Sequence, residues 1–196
     1  MIDDRLRRQL EFIIEADRLK SVERRCWLTD GSRHENTAEH SWHLALMAIV
    51  LAEHAAEPVD LMRVLQMVVV HDLVEIDAGD TFLYDDEGRL TKEEREREAA
   101  DRLFAVLPEP QAEQLRALWD EYSSRATPDA RFAKALDRLA PLLLNHATGG
   151  GGWADHGITA EQVRLRNPSV AQASPTLQAV VEHLISDSVE QGFLPP

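Results

Sequence analysis

A histidine and an aspartate stand side by side at positions 71 and 72, at the end of a nearly continuous apolar stretch. Glu75 follows within about one helical turn, and Asp80 lies a few residues beyond it. Burying an unpaired charge is unfavourable by several kcal/mol, and neighbouring carboxylates raise one another's pKa values. Because a bound divalent cation relieves both penalties, this group of side chains predicts a metal site.

Two distant residues can complete that site. His40 has apolar neighbours on an earlier predicted helix, and Asp137 lies between two leucines on a later one. Each could point inward toward the same cavity, although Asp137 could instead pair with a basic neighbour on the helix surface. Two imidazoles and two carboxylates suit one Mn, Co, Fe, Ni or Zn ion, and leave coordination positions for water and substrate. The sequence does not choose among these metals, or between them and Mg.

Helical periodicity predicts the elements that would position these residues. An apolar stripe from Leu6 to Leu19 indicates a first amphipathic helix, and Asn36 with Glu39 is a capping signal for a second. The apolar run from Asp60 to Ile76 is long enough to favour a buried helix over a strand. Later helix starts are indicated by Thr91 with Glu94, by Pro110, by Thr127 with Pro128, and by Pro175.

The predicted architecture is an all-α bundle of roughly six or seven helices in a single domain, residues 1–196. No strand pair with hairpin chemistry is expected. Residues 77–88 are expected to form a loop, and the glycines at 149–152 a flexible connection.

Composition excludes several classes of function. A formal net charge of −14 opposes binding to long nucleic acids, which depends on Lys and Arg. Cys26 is the only cysteine, so neither a disulfide framework nor a thiolate zinc site is expected. The apolar runs are too short to span a membrane. The first residues do not follow the pattern of a secretory signal, and we therefore expect a cytoplasmic protein.

Several short motifs occur in a specific order along residues 10–150. They are Arg24-Arg25-Cys26-Trp27, Glu35 to His40, His71-Asp72-Leu73-Val74-Glu75, Ala78-Gly79-Asp80-Thr81, and Lys134 to Leu139. Together they resemble the HD-domain superfamily of metal-dependent phosphohydrolases, and specifically its 5′-deoxynucleotidase branch. The resemblance implies an HD-type helical bundle and a homodimer.

The same resemblance implies a role for each site residue. The metal ligands would be His40, His71, Asp72 and Asp137. Glu75 would orient or deprotonate the attacking water, and Asp80 would contact the substrate near the reacting phosphate. Arg24 and Trp27 would contact phosphate and sugar. Arg25 could take the place of Arg24. The alternative for Trp27 is a core aromatic residue without a substrate role. Cys26 departs from the glycine that many relatives carry there.

The leading hypothesis is therefore hydrolysis of nucleoside 5′-monophosphates, including deoxynucleotides, to nucleoside and phosphate. An alternative keeps the site but changes the substrate to a cyclic nucleotide, a nucleoside triphosphate or a non-nucleotide phosphomonoester. A second alternative is a regulator that binds a nucleotide without turnover. A helical DNA-binding regulator is disfavoured by the acidic charge.

Overall fold

A computed structural model describes residues 2–196, and almost all of its regular structure is helical. Two short 3-10 helices, Asp17–Ser21 and Ala52–His54, accompany the longer elements. In chain order the elements are α1 (Asp4–Ala16), β1 (Glu23–Trp27), β2 (His34–Asn36), α2 (Thr37–Leu51), α3 (Leu61–Val70), α4 (Glu75–Ala78), α5 (Asp86–Phe104), α6 (Gln111–Ser124), α7 (Pro128–Ala147), α8 (Gly151–His156), α9 (Ala160–Arg166), α10 (Val170–Ala173) and α11 (Pro175–Glu190). The prediction of an all-α fold is confirmed.

Helix α7 is the centre of the fold. Thr127 caps it by accepting a hydrogen bond from the backbone N–H of Ala130, and Pro128 occupies the first turn as predicted. The helix packs against α2, α3, α6, α10 and α11. Phe132, Leu136 and Leu139 are almost completely buried in the larger hydrophobic cluster. Asp137 is carried by this same helix, so its position is fixed by the main core.

A second hydrophobic cluster lies between α5, α6 and the end of α3. Val68 of α3 belongs to the larger cluster, whereas Val70, Leu73 and Val74 belong to the second one. The chain therefore passes from one core to the other between residues 68 and 74. His71 and Asp72 lie at this transition, flanked by apolar packing on both sides.

The described residues include one small sheet that contradicts the prediction of no strand pair. β1 and β2 are antiparallel, with Glu23 opposite Asn36 and Trp27 opposite His34. The connecting turn contains Gly31 at φ 68°, a conformation that glycine adopts without strain. The segment is rich in charge and lacks alternating apolar residues, which is why its pattern did not indicate strands.

Two predicted helix boundaries are wrong. The helix expected over residues 60–76 ends at Val70, and a turn separates it from the short helix α4. Helix α5 begins at Asp86, within the predicted loop, because Asp85 accepts a hydrogen bond from the N–H of Gly88. Thr91 therefore lies inside α5 and does not cap it.

The glycines at 149–152 are ordered, which corrects the expected flexible connection. Helix α8 begins at Gly151. A Cβ atom on Gly152 would lie 2.4 Å from the carbonyl oxygen of Arg25, so only glycine permits this approach of α8 to β1. Among the described residues, none of the helices is long and apolar enough to span a membrane.

The role of α7 as the core helix predicts a large effect of truncation. We expect Leu136→Ala to lower the free energy of unfolding by about 2–5 kcal/mol, since Leu136 is fully buried. Leu165 is 71% exposed, so Leu165→Ala should change it by less than about 0.5 kcal/mol. Urea denaturation measures both, and equal effects of the two substitutions would contradict the packing described here.

Candidate metal centre

Three parts of the fold bring the four predicted metal ligands together. His40 lies in the second turn of α2, whose start is fixed by a capping box between Asn36 and Glu39. His71 ends α3 and Asp72 follows it. Asp137 comes from the middle of α7. Both histidines are buried, and the carboxyl groups are largely buried.

The distances among these side chains are short enough for shared coordination. Ligand atoms of His40, His71 and Asp72 all lie within 4.8 Å of one another. Asp137 Oδ1 lies 3.1 Å from His40 Nε2 and 3.9 Å from His71 Nε2. Asp72 Oδ2 lies 3.0 Å from His71 Nε2. All four side chains thus present nitrogen or oxygen atoms to one small volume.

The hydrogen bonding of the histidines fits a cation in that volume. His71 Nδ1 lies 2.9 Å from the carbonyl oxygen of Val68, which favours a proton on Nδ1 and leaves the lone pair on Nε2. His71 Nε2 is buried without a hydrogen-bond partner in the described structure. His40 Nδ1 lies 3.6 Å from a carboxylate oxygen of Glu35. A carboxylate behind a histidine is a common support for metal ligation.

Asp137 is held in place by two neighbours. Its Oδ2 accepts hydrogen bonds from Tyr122 Oη at 2.9 Å and from Lys134 Nζ at 2.6 Å. Burial raises the pKa of Asp137, but Lys134 and the histidines outweigh it and hold the pKa well below its usual value. Oδ1 is therefore ionised and directed toward the histidines. The alternative of a surface ion pair is replaced by a buried contact with Lys134.

Glu75 lies one turn beyond the histidine and aspartate pair, at the start of α4. Its side chain is buried and lines the same cavity. Thr37 donates a hydrogen bond to Glu75 Oε2 at 3.0 Å. Burial, and secondarily the charge of Asp72, raises the pKa of Glu75 well above its usual value. A carboxyl group with such a pKa beside a polar cavity is suited to accepting or donating a proton.

Arg24 of β1 reaches the same group of carboxylates. Its guanidinium group lies 3.3 Å from Asp72 and 3.7 Å from Asp80. Burial lowers the pKa of Arg24, but Asp80, Asp72 and Glu75 outweigh it and keep the pKa well above the ordinary value. Arg24 and Asp80 thus lie beside the predicted metal ligands. Gly79 permits the turn into Asp80, because it ends α4 at φ 74°.

Of the predicted site residues, His40 is completely buried beside the other proposed ligands and does not itself line the cavity, and Trp27 does not line it either. The indole N–H of Trp27 donates a hydrogen bond to Asp155 of α8 at 2.7 Å, and its ring contacts His34. The residues before it, Arg25 and Cys26, do line the cavity. A register shift interrupts the pairing of β1, and such bulges redirect side chains.

The cavity in front of these residues has a volume of about 380 Å³, within the usual range for small-molecule sites. No role here was predicted for Tyr122, Lys92 or Glu35. A pairing of Asp137 with a basic neighbour was an open alternative, and Lys134, three residues earlier on the same helix, forms that pair. No comparable sequence signal connects Tyr122 or Glu35 to the site.

The fold and the geometry define a class of protein: an all-α chain in which buried histidine and carboxylate side chains, the kinds that bind metals, lie beside a polar cavity. A comparison with known protein families agrees with this class. The model of the HD domain family matches residues 16–178. The chain belongs to the HD domain family.

The relatives it resembles include curated and solved proteins. It is 32% identical to the 5′-deoxynucleotidase HDDC2 of Bos taurus over 70% of this chain, and 30% identical to that of Homo sapiens over 68%. The matches span 66% and 65% of those relatives, slightly less than two thirds of their length.

The solved structures include that of a predicted metal-dependent phosphohydrolase from Magnetospirillum magnetotacticum MS-1. Its sequence is 52% identical to this chain, and the two structures superpose with a TM-score of 0.93. That match covers 99% of this chain and 100% of the other.

The geometry predicts which histidines affect metal affinity. We expect His71→Ala to weaken binding of Co²⁺ or Mn²⁺ about 100-fold or more, since even supporting residues around a metal contribute 10–100-fold. His183 is exposed on α11, and His183→Ala should leave the affinity unchanged. Titration calorimetry on chelator-treated protein measures both. Equal affinities of the two variants would exclude His71 as a ligand.

Proposed function

We propose that this chain is a metal-dependent phosphohydrolase that cleaves nucleoside 5′-monophosphates, deoxynucleotides included, to nucleoside and inorganic phosphate. The observation that carries the proposal is the convergence of His40, His71, Asp72 and Asp137 beside Arg24 and Glu75. The activity named for the curated relatives supports the substrate class. The metal ligands are proposed as those four residues, and the ion as one of Mn, Co, Fe, Ni, Zn or Mg.

The reaction adds water to phosphorus and breaks the ester bond to the nucleoside oxygen. A divalent ion in such a site, when bound, lowers the pKa of a coordinated water and polarises a phosphoryl oxygen. Arg24 is placed to neutralise charge on the phosphoryl oxygens, because its planar group of donors matches a phosphate. Asp80, beside Arg24, is assigned to contact the substrate near the reacting phosphate.

Glu75 is assigned to orient the attacking water and to accept its proton. The hydrogen bond from Thr37 fixes one carboxyl oxygen, and the other oxygen is free to bind water. The attacking water loses one proton, and the departing nucleoside oxygen gains one proton, so the reaction balances. For Trp27 we propose the structural role that was the alternative to sugar contact, because its indole N–H donates a hydrogen bond to Asp155 of α8.

Two alternatives differ in their products. A phosphohydrolase acting on another small phosphoester would release a different product from the same site. A regulator that binds nucleotide without turnover would release no phosphate. The carboxyl group of Glu75 lines the same cavity as His71, Asp72 and Asp137, which supports an enzyme over a regulator. The absence of binding to long nucleic acids and the cytoplasmic location stay predictions from the sequence.

Substitution of Glu75 tests the proposed reaction. We expect Glu75→Gln to lower kcat for 2′-deoxyadenosine 5′-monophosphate at least about 100-fold, the usual contribution of a general base. Metal binding should persist, because Glu75 is not among the four proposed ligands. Glu93, an exposed carboxylate that lines the same cavity, provides the control substitution Glu93→Gln. Phosphate release is the measurement, and an unchanged rate in Glu75→Gln would remove this residue from the mechanism.

We also propose that the chain forms a homodimer through α2 and α3. Helix α2 carries apolar residues on both of its faces. A helix of this kind is usually buried on all sides, but the outer face of α2 is exposed. Trp42, Ile49 and Val50 of its outer face are 67%, 56% and 59% exposed, and Met62 and Val69 of the adjacent α3 are 63% and 51% exposed. Helices α2 and α3 pack against each other, and exposed apolar side chains grouped on neighbouring helices indicate an interaction site.

The size of the protein in solution tests the dimer. We expect light scattering after size-exclusion chromatography to give twice the chain mass for the wild type. Ile49→Glu should shift it to the monomer, because a charge would then be buried at the interface. Leu165→Glu, at an equally exposed apolar position on α9, should leave the dimer intact. A monomeric wild type at micromolar concentration would contradict the proposal.

A further inference from the structure

Three arginine side chains line the cavity but have no role in the reaction described above. Arg89 of α5, Arg125 at the end of α6 and Arg138 of α7 all line the cavity that contains the metal centre. Loss of solvation, followed by the nearby guanidinium groups of Arg166 and Arg138, lowers the pKa of Arg89. Arg89 is therefore close enough to Arg166, Arg138 and Arg125 to be repelled by their charges.

The repulsion is poorly compensated by carboxylates. Within residues 2–196, no carboxylate oxygen lies within 4.0 Å of a side-chain nitrogen of Arg89, Arg125 or Arg138, so none of the three forms an ion pair. Arg166 pairs with Asp86, which is itself exposed. The chain holds 35 acidic residues against 21 basic ones, so unpaired arginines facing one cavity are not explained by a shortage of partners. Arg89 and Arg125 are exposed and Arg138 is half-buried, so solvent or a ligand can reach their guanidinium groups. Like charges that face one cavity are suited to an anionic ligand.

This arginine group is distinct from the one proposed to hold the reacting phosphate. Arg24 is surrounded by Glu35, Asp72 and Asp80, and its pKa is governed by the carboxylates of the metal centre. The charges that act on Arg89 are those of other arginines and of Asp86. The cavity therefore has two cationic regions, one defined by Arg24 among the carboxylates of the metal centre and one by Arg89, Arg125 and Arg138, which have no carboxylate partner.

We propose that Arg89, Arg125 and Arg138 form a second anion subsite, which binds a phosphate group that the substrate carries apart from the phosphate being hydrolysed. This inference rests on the proposed function and specifies its substrate. A nucleoside 3′,5′-bisphosphate has two phosphates on different ribose oxygens, so that each can occupy one cationic region. Arginine suits such a contact because its planar group of donors binds two phosphate oxygens at once.

The test compares the binding of two probes that differ only in the second phosphate. Titration calorimetry measures the affinity of 2′-deoxyadenosine 5′-monophosphate and of 2′-deoxyadenosine 3′,5′-bisphosphate for the metal-loaded Glu75→Gln chain. The bisphosphate should bind about 10-fold or more tightly, as expected for an added charge-assisted contact. Because binding is measured without turnover, failure of the hydrolase proposal is read separately, from phosphate release by the wild-type chain.

Variants of the arginines complete the test. Arg89→Ala combined with Arg125→Asn should remove the advantage of the bisphosphate and change the affinity of the monophosphate less than about twofold. Asparagine is chosen because residue 125 has φ 55°, which asparagine tolerates. Arg97→Ala is the control, an exposed arginine on α5 that does not line the cavity.

The unfolding midpoint of each variant confirms that it is folded, and the single variant Arg89→Gln serves if the double variant unfolds. Equal affinities of the two probes for the parent chain, or an advantage that persists in the variants, would overturn the proposal.

Discussion

The constraint on which this structure depends is the burial of several ionisable side chains between two apolar clusters. His71, Asp72 and Glu75 lie where the chain crosses from one core to the other, and Asp137 faces them from the central helix. Uncompensated charges in such a place would destabilise the fold. The arrangement is stable only if the groups neutralise one another or share a cation. The surrounding elements supply the side chains that neutralise these charges.

The supporting residues compensate the charges in different ways. Lys134 and Tyr122 hold one oxygen of Asp137, and Arg24 offsets Asp72 and Asp80. Val68 and Glu35 face the outer nitrogens of the two histidines. What remains toward the centre of the described site without a hydrogen-bond partner is the buried His71 Nε2, with oxygens of Asp72 and Asp137 close to it. The same packing that stabilises the fold therefore forms the candidate metal site and leaves a polar cavity beside it.

The sequence predicted the helical class, because long apolar periodic segments are strong local signals. It also selected His40, His71, Asp72 and Asp137, which the structure places close together: the histidine next to an aspartate at a helix end is a local signal, whereas His40 and Asp137 were selected through the order of the motifs. It did not predict β1 and β2, since the pairing of short charged strands depends on contacts that their sequence pattern does not contain. The sequence could not place Trp27 for the same reason: without the bulged strand, nothing in the pattern indicates that its ring lies outside the cavity. Likewise, Arg89 and Arg138 are far apart in sequence, and only the packing of α5 against the rest of the bundle brings them to one cavity.

The most direct test of the account is to locate a metal ion by anomalous diffraction. Crystals of the Glu75→Gln chain grown with Co²⁺ and 2′-deoxyadenosine 5′-monophosphate would be measured at the cobalt absorption edge. The account predicts an anomalous peak bounded by His40, His71, Asp72 and Asp137, with a phosphoryl oxygen of the nucleotide beside it. No peak among these four residues in cobalt-saturated crystals, or a nucleotide bound away from them, would contradict it.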